Sequence, residues 1–456
     1  MINSHNPFID RGAVREATLF FGRRNETRKL AQAIGSRSPQ SCSIIGERRI
    51  GKTSLLNYLA DPGGALKEFA NLLNEPAQNY IFIRADLSAL KIKKRDGAVF
   101  FFRQIFRNLH EVITDKCKQT GIKSKKLAKI FDNYIERPDL SELSEFGLGG
   151  YLSEIKRIAP EWVLVFLLDE ADALIKHGVG ALLRSLIQDR AISFVLVTRL
   201  PLVEIDPERE VSPLFNIIAE KIPLGLMPEK ECRQMVLNLT SQSGMTVTVT
   251  ELDFIMKISG GNPDYAKTSA KHVMEAKLER KHIDFEALKA NIYLDLDSAC
   301  KGLWEGMEES ERSVCIKLTK EQSLENIDTK AAQILKRKGI LNEQGEFFSI
   351  AFADFVSDKS PASSLQFEKG YVKYDNQIIK VSPKELSLLQ YLYKHVGQTC
   401  TREEIYKKVW GETFDENSTA TINMTIKRLR EKLDTSIEGA FSFESVRGEG
   451  YSLTMN

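Results

Sequence analysis

Residues 46–53 read Gly-Glu-Arg-Arg-Ile-Gly-Lys-Thr, and this octet restricts the fold more than any other stretch of the chain. The pattern G-x-x-x-x-G-K-[ST] requires a strand that stops, a loop whose amides turn inward, and a helix that starts at the lysine. Both flanks comply. Ser41–Ile45 is a β-rich apolar run, and the residues from Thr53 to Ala60 have helical spacing. In such a loop Gly46 and Gly51 let backbone amides curl around phosphates, while the helix start adds positive potential. Lys52 then reaches the β- and γ-oxygens, the Thr53 hydroxyl holds Mg²⁺, and Ser54 completes the cofactor-binding set. The cofactors to expect are ATP or ADP with Mg²⁺.

A phosphate cradle needs carboxylates that position metal and water. The longest apolar run, the seven residues from Trp162 to Leu168, delivers Asp169 and Glu170 to a strand end, where ligands sit in parallel sheets. Asp169 would complete the metal site with Thr53, and Glu170 would polarise the attacking water. Thr198 ends the following strand and is placed to sense the γ-phosphate. Arg184, Arg190 and Arg199 are candidates to stabilise phosphoryl charge, with Arg199 first. Arg48 and Arg49 make the loop unusually basic; exposed, solvated arginines are the default reading.

The 456 residues leave room for about three domains of about 150 residues each. Runs at Ser41–Ile45, Tyr80–Ile83, Trp162–Leu168 and Ser193–Val197 alternate with helical patterns, which predicts an α/β P-loop NTPase core with a parallel sheet and helices on both faces. The core is expected over 1–227, a helical lid over 228–295, a winged-helix-like transducer over 296–357, a Ser/Pro-rich linker over 358–366, and a last domain over 367–456. Lys336-Arg337-Lys338 lies at a helix end, where cations suit the dipole.

Several segments of the first part carry a resemblance. Phe21-Gly22-Arg23-x-x-Glu26, the pair Asp169-Glu170, Ser212-Pro-Leu-Phe-Asn216 and Ser259-Gly-Gly-Asn-Pro263 resemble the STAND branch of AAA+-related P-loop ATPases over residues 15–357. That resemblance implies a nucleotide-controlled switch, closed with ADP and opened or oligomerised with ATP. It also implies that Arg23 and Pro263 border the adenine.

In 367–456, Ser382-Pro-Lys-Glu385 and Thr401-Arg-Glu-Glu404 are capping boxes, and Ser418 is placed to cap a third helix. On that helix Ile422, Ile426, Leu429 and Leu433 follow 4, 3, 4 spacing and form one buried face. The residues from Phe441 to Leu453 read as a hairpin around Arg447-Gly-Glu-Gly450. Three helices and a hairpin describe a winged helix whose third helix can enter a major groove. The segment resembles the OmpR/PhoB-type effector domain of bacterial response regulators. By that resemblance Met424 and Arg428 face base edges, Thr425, Lys427 and Arg430 touch phosphate, and Arg447 approaches the minor groove. The family's frequent basic residue is Ala420 here, and its usual Asp and His are Asn423 and Thr425.

Charge alone announces none of this. The chain has 64 basic and 62 acidic side chains, and residues 367–456 have 13 of each, so DNA binding must come from placement. No apolar run approaches the roughly 20 residues of a membrane span, and the N-terminus lacks the basic start of a signal peptide, so a cytoplasmic location without membrane attachment is expected. Six scattered cysteines lack metal or disulfide spacing. The function to expect is an ATP-controlled transcriptional regulator with slow Mg-dependent hydrolysis, double-stranded DNA as partner, and ATP-dependent homo-oligomers. The alternative is a DNA-associated or defence-type ATPase that uses winged helices for DNA loading or partner docking.

Overall fold

The computed structural model describes residues 6–10, 12–87, 96–176, 179–190, 192–206, 214–279, 283–321, 329–359, 365–374, 377–436, 441–446 and 449–455. They form two compact units, Met1–Phe355 and Val356–Asn456. Among them, no helix is long and apolar enough to cross a membrane, and the six cysteines are buried and unpaired.

The first unit is built on a five-stranded parallel sheet of β1 (Ser41–Ile45), β2 (Tyr80–Asp86), β3 (Val163–Asp169), β4 (Ser193–Thr198) and β5 (Ile218–Pro223), in the order β2-β3-β4-β1-β5. The alternation of β3 explains why this sheet must be covered twice. Leu164, Phe166 and Leu168 pack into one core with the long helix Asp96–Thr120. Val165 and Leu167 pack into another with the helices Arg24–Ile34 and Lys52–Ala60. A strand apolar on both faces reads as a continuous hydrophobic run, which is why β3 is plain in the sequence. The fifth strand is not. β5 alternates buried Ile218 and Ile222 with half-buried or exposed Glu220 and Lys221, the charged pattern that protects a sheet edge, and so carries no apolar run.

After β5 come the helices Glu229–Gln242, Val249–Ser259 and Pro263–Leu278. The second opens on a capping box of Thr248 and Glu251. The third opens with Asn262 accepting from the amides of Asp264 and Tyr265, with Pro263 in its first turn. Gly260 (φ 53°) has to be glycine, because a Cβ there would stand 1.5 Å from the Phe348 carbonyl oxygen. The expected lid boundary at 295/296 falls inside one continuous helix, Phe285–Glu305, whose buried stripe of Ile292, Leu296, Ala299 and Leu303 runs straight through it. Helices Glu309–Glu321, Thr329–Arg337 and Ile350–Lys359 follow, with a single antiparallel bridge, Leu341 to Phe347, before the last. Of the expected linker, residues 360–364 lie outside the described set; Lys359 still belongs to a helix, and Leu365 is already buried in the second unit's core.

The second unit opens with an antiparallel sheet absent from the sequence-based expectation: β6 (Gln366–Glu368), β7 (Tyr371–Tyr374) and β8 (Gln377–Lys380). Helices Pro383–Lys394, Arg402–Trp410 and Ser418–Ser436 follow. β9 (Cys400–Thr401), β10 (Phe441–Val446) and β11 (Gly450–Met455) form a second antiparallel sheet in the order β10-β11-β9. Ile422, Ile426, Leu429 and Leu433 are buried together against Leu388, Ile405 and Leu453. Both expected capping boxes are formed. The third helix is capped differently: Asp415 Oδ1 accepts from the amides of Asn417 and Ser418 and from the Ser418 hydroxyl. A carboxylate three residues upstream, which attracts amides more strongly than a hydroxyl does, takes the role expected of Ser418.

Glu385 ties two elements. It accepts from the Ser382 amide at 2.7 Å and from Lys432 Nζ of the third helix at 2.7 Å, while buried. Burial opposes its charge, but the bonds from Lys432 and Ser382 prevail and hold its carboxyl below the usual range. A lowered native pKa adds stability that is complete above the ordinary carboxylate range and disappears as pH falls through the native value. Glu385→Ala should therefore cost the second unit about 1–2 kcal/mol at neutral pH, and much less in acid. Denaturant titrations at both pH values check this.

Candidate nucleotide site and nucleic-acid interface

The site grows from strand ends. In the parallel register Ile45 of β1 is level with Thr198 of β4, and β3 ends beside them in Asp169, with Glu170 in the turn that follows. Beyond Ile45 the chain turns through Arg49 (φ 62°) and Gly51 (φ 99°) into the helix that begins at Lys52. Buried Lys52 donates through Nζ to the carbonyls of Gly46 (2.7 Å) and Glu47 (3.0 Å). Burial pulls its ammonium below the usual lysine range, while the carboxylates of Glu170, Glu47 and Asp169 push back. Thr53 Oγ1 donates to Asp169 Oδ2 at 2.7 Å, and Asp169 Oδ1 accepts from the Glu170 amide.

Glu170 itself is held at φ 54°, a conformation rare for a residue with a Cβ and found where a structure over-determines it. Its carboxylate lies 3.9 Å from Arg199 Nε. The Arg199 amide donates to both carboxylate oxygens of Asp172, at 3.0 and 3.2 Å. Asp172 therefore fixes the end of β4 against the turn after β3, a role the sequence reading missed although the residue stands two positions beyond Glu170. Thr198 is fully buried, with its hydroxyl donating to the Leu200 carbonyl. Arg184 is half-buried, and the Arg190 side chain lies outside the described residues.

A cavity of about 400 Å³ is lined by Lys52, Thr53, Ser54, Glu170 and Pro263, so these expected residues are brought together. An N-terminal strap also lines it through Gly12 and Ala13. The strap is pinned by the Val14 amide donating to Ser54 Oγ and by Asn57 donating to the Val14 carbonyl. Arg48 and Arg49 are both exposed, and Arg49, which lines the cavity, pairs there with Asp264 at 3.1 Å. The half-buried Glu47 carboxyl is pushed up by desolvation, against the pull of Lys338, Lys52 and Arg199; Lys338 in turn pairs with buried Glu311.

The donor set fits a Mg²⁺-bound nucleoside phosphate. A hydroxyl and a carboxylate already converge where a divalent cation would bridge them. Lys52 rests only on loop carbonyls, and a Cβ at Gly51 would meet nothing within 4 Å, leaving the loop open to close approach.

Arg23 does something other than border the cavity. Its buried guanidinium donates to the carbonyls of Gly225 (2.6 Å), Ile50 (3.4 Å) and Leu226 (3.5 Å) and to Glu26, while its amide donates to Glu231. It clamps the loop to the segment after β5.

In the second unit, Met424, Lys427, Arg428 and Arg430 are exposed on the third helix. Lys427 and Arg428 have no hydrogen-bond or ion-pair partner among the described residues. Arg430 donates to the Phe443 carbonyl at 2.6 Å, tying the helix to β10, and the half-buried Thr425 hydroxyl turns back to the Thr421 carbonyl. Tyr451 donates to Asn423, so β11 is anchored to the same helix. Arg447 lies outside the described residues.

Fold and site together define a chain that joins a Walker-type ATPase fold to an OmpR/PhoB-type winged-helix domain. Residues 375–453 match the family described as "Transcriptional regulatory protein, C terminal". The sensory transduction protein RegX3 of Mycobacterium tuberculosis (strain ATCC 25618 / H37Rv) is 28% identical over 136 residues, 30% of this chain and 56% of that protein; the chain spans about half the length of the curated relatives it matches. Among solved structures, the Walker-type ATPase PABY2304 of Pyrococcus abyssi aligns with 77% of this chain and 99% of its own, at 15% identity and a TM-score of 0.52. The DNA-binding domain of CpxR from E. coli aligns with 20% of this chain and 88% of its own, at 31% identity and a TM-score of 0.19.

Arg23→Ala should leave at least three carbonyls without their donor and cost the nucleotide-free first unit about 2–3 kcal/mol, read by denaturant unfolding. Unchanged stability with weakened nucleotide binding would instead return Arg23 to an adenine-bordering role.

Proposed function

We propose that this chain is a nucleotide-controlled transcriptional regulator. The observation that carries the proposal is the convergence of Lys52, Thr53 and Glu170 on one cavity, with Asp169 bonded to Thr53 behind it, in a chain that also exposes Met424, Lys427 and Arg428 on the third helix of an OmpR/PhoB-type domain. When bound, Mg²⁺ supplies charge that screens the phosphate oxygens. Lys52 would exchange its loop carbonyls for the phosphates, Thr53 and Asp169 would hold the metal, and Glu170 would orient water. Arg199, half-buried and ion-paired to Glu170 through an Nε that has no hydrogen bond among the described residues, is placed to answer the charge of the γ-phosphate. Thr198 acts as a strand-end support for Arg199, its hydroxyl being committed to Leu200. Pro263 borders the base.

Such a site suits a slow switch in which ATP favours assembly and ADP resets it, in the cytoplasm. The domain's match to a transcriptional regulatory family supports double-stranded DNA as the partner. Arg428, without a partner among the described residues, would read a guanine edge, and Lys427 would meet phosphate. Where a receiver domain's phosphorylated aspartate usually controls such effectors, ATP binding is the input here.

The test is selection of a DNA site from a random pool by the full chain, followed by ATP turnover with and without that site. Slow turnover indifferent to non-specific DNA, with one enriched sequence, supports the reading. Turnover stimulated by any DNA, with no enriched sequence, would replace it with a DNA-processing ATPase. Lys52→Ala should abolish Mg·ATP binding in equilibrium titration. On the selected site, Arg428→Ala should cost about 1–3 kcal/mol of base discrimination, whereas Lys427→Ala should weaken all sequences alike and lower the salt slope by about one.

A further inference from the structure

A second cavity, of about 520 Å³, lies beside the nucleotide cavity and shares two lining residues with it, Ala13 and Thr53. Thr53 is the residue whose hydroxyl meets Asp169, so the two spaces adjoin at the end of the site assigned to metal and terminal phosphate. The second cavity is also lined by Arg15, Asn57, Asp61 and Arg84.

Both arginines are placed by the fold. On β2 the neighbours Ile83 and Ala85 go into the core, so Arg84 points outward, level with Leu167 of β3 and two residues from the strand's end. Arg15 follows Val14, whose amide and carbonyl are both pinned to the P-loop helix by Ser54 and Asn57. Neither guanidinium has a hydrogen-bond or ion-pair partner among the described residues. The acid in the cavity does not answer them: Asp61 accepts from the Gly63 amide through Oδ1 at 2.7 Å and from the Ala17 amide through Oδ2 at 3.3 Å.

Two unpaired guanidiniums lining one space favour an anion, and their planar forks match a tetrahedral oxyanion. We infer that this cavity holds inorganic phosphate through Arg15 and Arg84, after it has been cleaved from ATP at the adjoining site. The inference rests on the proposed ATP hydrolysis for the origin of the phosphate, and on the cavity alone for its binding. Phosphate retained there, with ADP still in place, delays the return to the resting form, so the two arginines set how long the switched state lasts.

The test uses the full chain loaded with Mg·ADP, whose ADP affinity is measured first, then titrated with inorganic phosphate by calorimetry. Saturable phosphate binding is expected, about tenfold weaker in Arg15→Ala and in Arg84→Ala. It should be unchanged in Arg107→Ala, an exposed arginine of the helix Asp96–Thr120, and ADP affinity should be the same in all. Absence of saturable phosphate binding to the ADP-loaded chain, or equal binding by the Arg15→Ala/Arg84→Ala double variant, overturns the inference. If ADP itself does not bind, the proposed function fails separately. Phosphate titration of the nucleotide-free chain then decides the cavity, and loss of binding in the double variant but not in Lys52→Ala supports it.

Discussion

The parallel pairing of β1 with β4, and of β4 with β3, is the constraint on which the first unit depends. Because all three strands run the same way, their carboxyl ends open on one edge, and Ile45, Asp169 and Thr198 reach it together. The loop from Gly46 to Gly51, the Thr53–Asp169 hydrogen bond and the Glu170–Arg199 pair are consequences of that edge. Burial of Lys52 raises the stakes. An ammonium out of water needs acceptors, and two loop carbonyls with four neighbouring carboxylates supply the field that phosphates would share.

The elements that could be read from the sequence are those whose chemistry is local. The octet at 46–53, the doubly buried β3 and the capping boxes at Ser382 and Thr401 each declare themselves within a few residues. Strand β5 was not legible because an edge strand with a charged face lacks an apolar run and is stabilised by pairing with β1, distant in sequence; β6 to β8 were not legible because strands of three or four residues are too short to show a period. The strap around Val14 was invisible for the same reason. Its contacts are made by backbone atoms with Ser54 and Asn57, about forty residues away, and a backbone contact leaves no residue-type signature.

Side-chain roles were harder still. Arg23 has the residue type and position of a ligand contact, yet three carbonyls and Glu26 consume its donors. On the third helix of the second unit, Lys427, Arg428, Arg430 and Lys432 look like one basic patch. In space they divide: Arg430 holds Phe443, Lys432 holds Glu385, and only Lys427 and Arg428 of the four are without protein partners among the described residues. Residues 367–456, with 13 basic and 13 acidic side chains, therefore present only a small cationic surface on this helix, and in the proposed function a weak intrinsic affinity for DNA would suit control by assembly, where linked sites multiply modest individual binding.

The central claim is that nucleotide at the first unit governs DNA affinity at the second. The most direct measurement is the dissociation constant of the full chain for its selected DNA site at fixed salt, with saturating Mg²⁺ and either a non-hydrolysable ATP analogue or ADP. Tighter binding is expected with the ATP analogue, by about tenfold or more on the usual scale of coupling between two sites, and no difference between the two nucleotides in Lys52→Ala. Equal affinity with both nucleotides in the unaltered chain would contradict it.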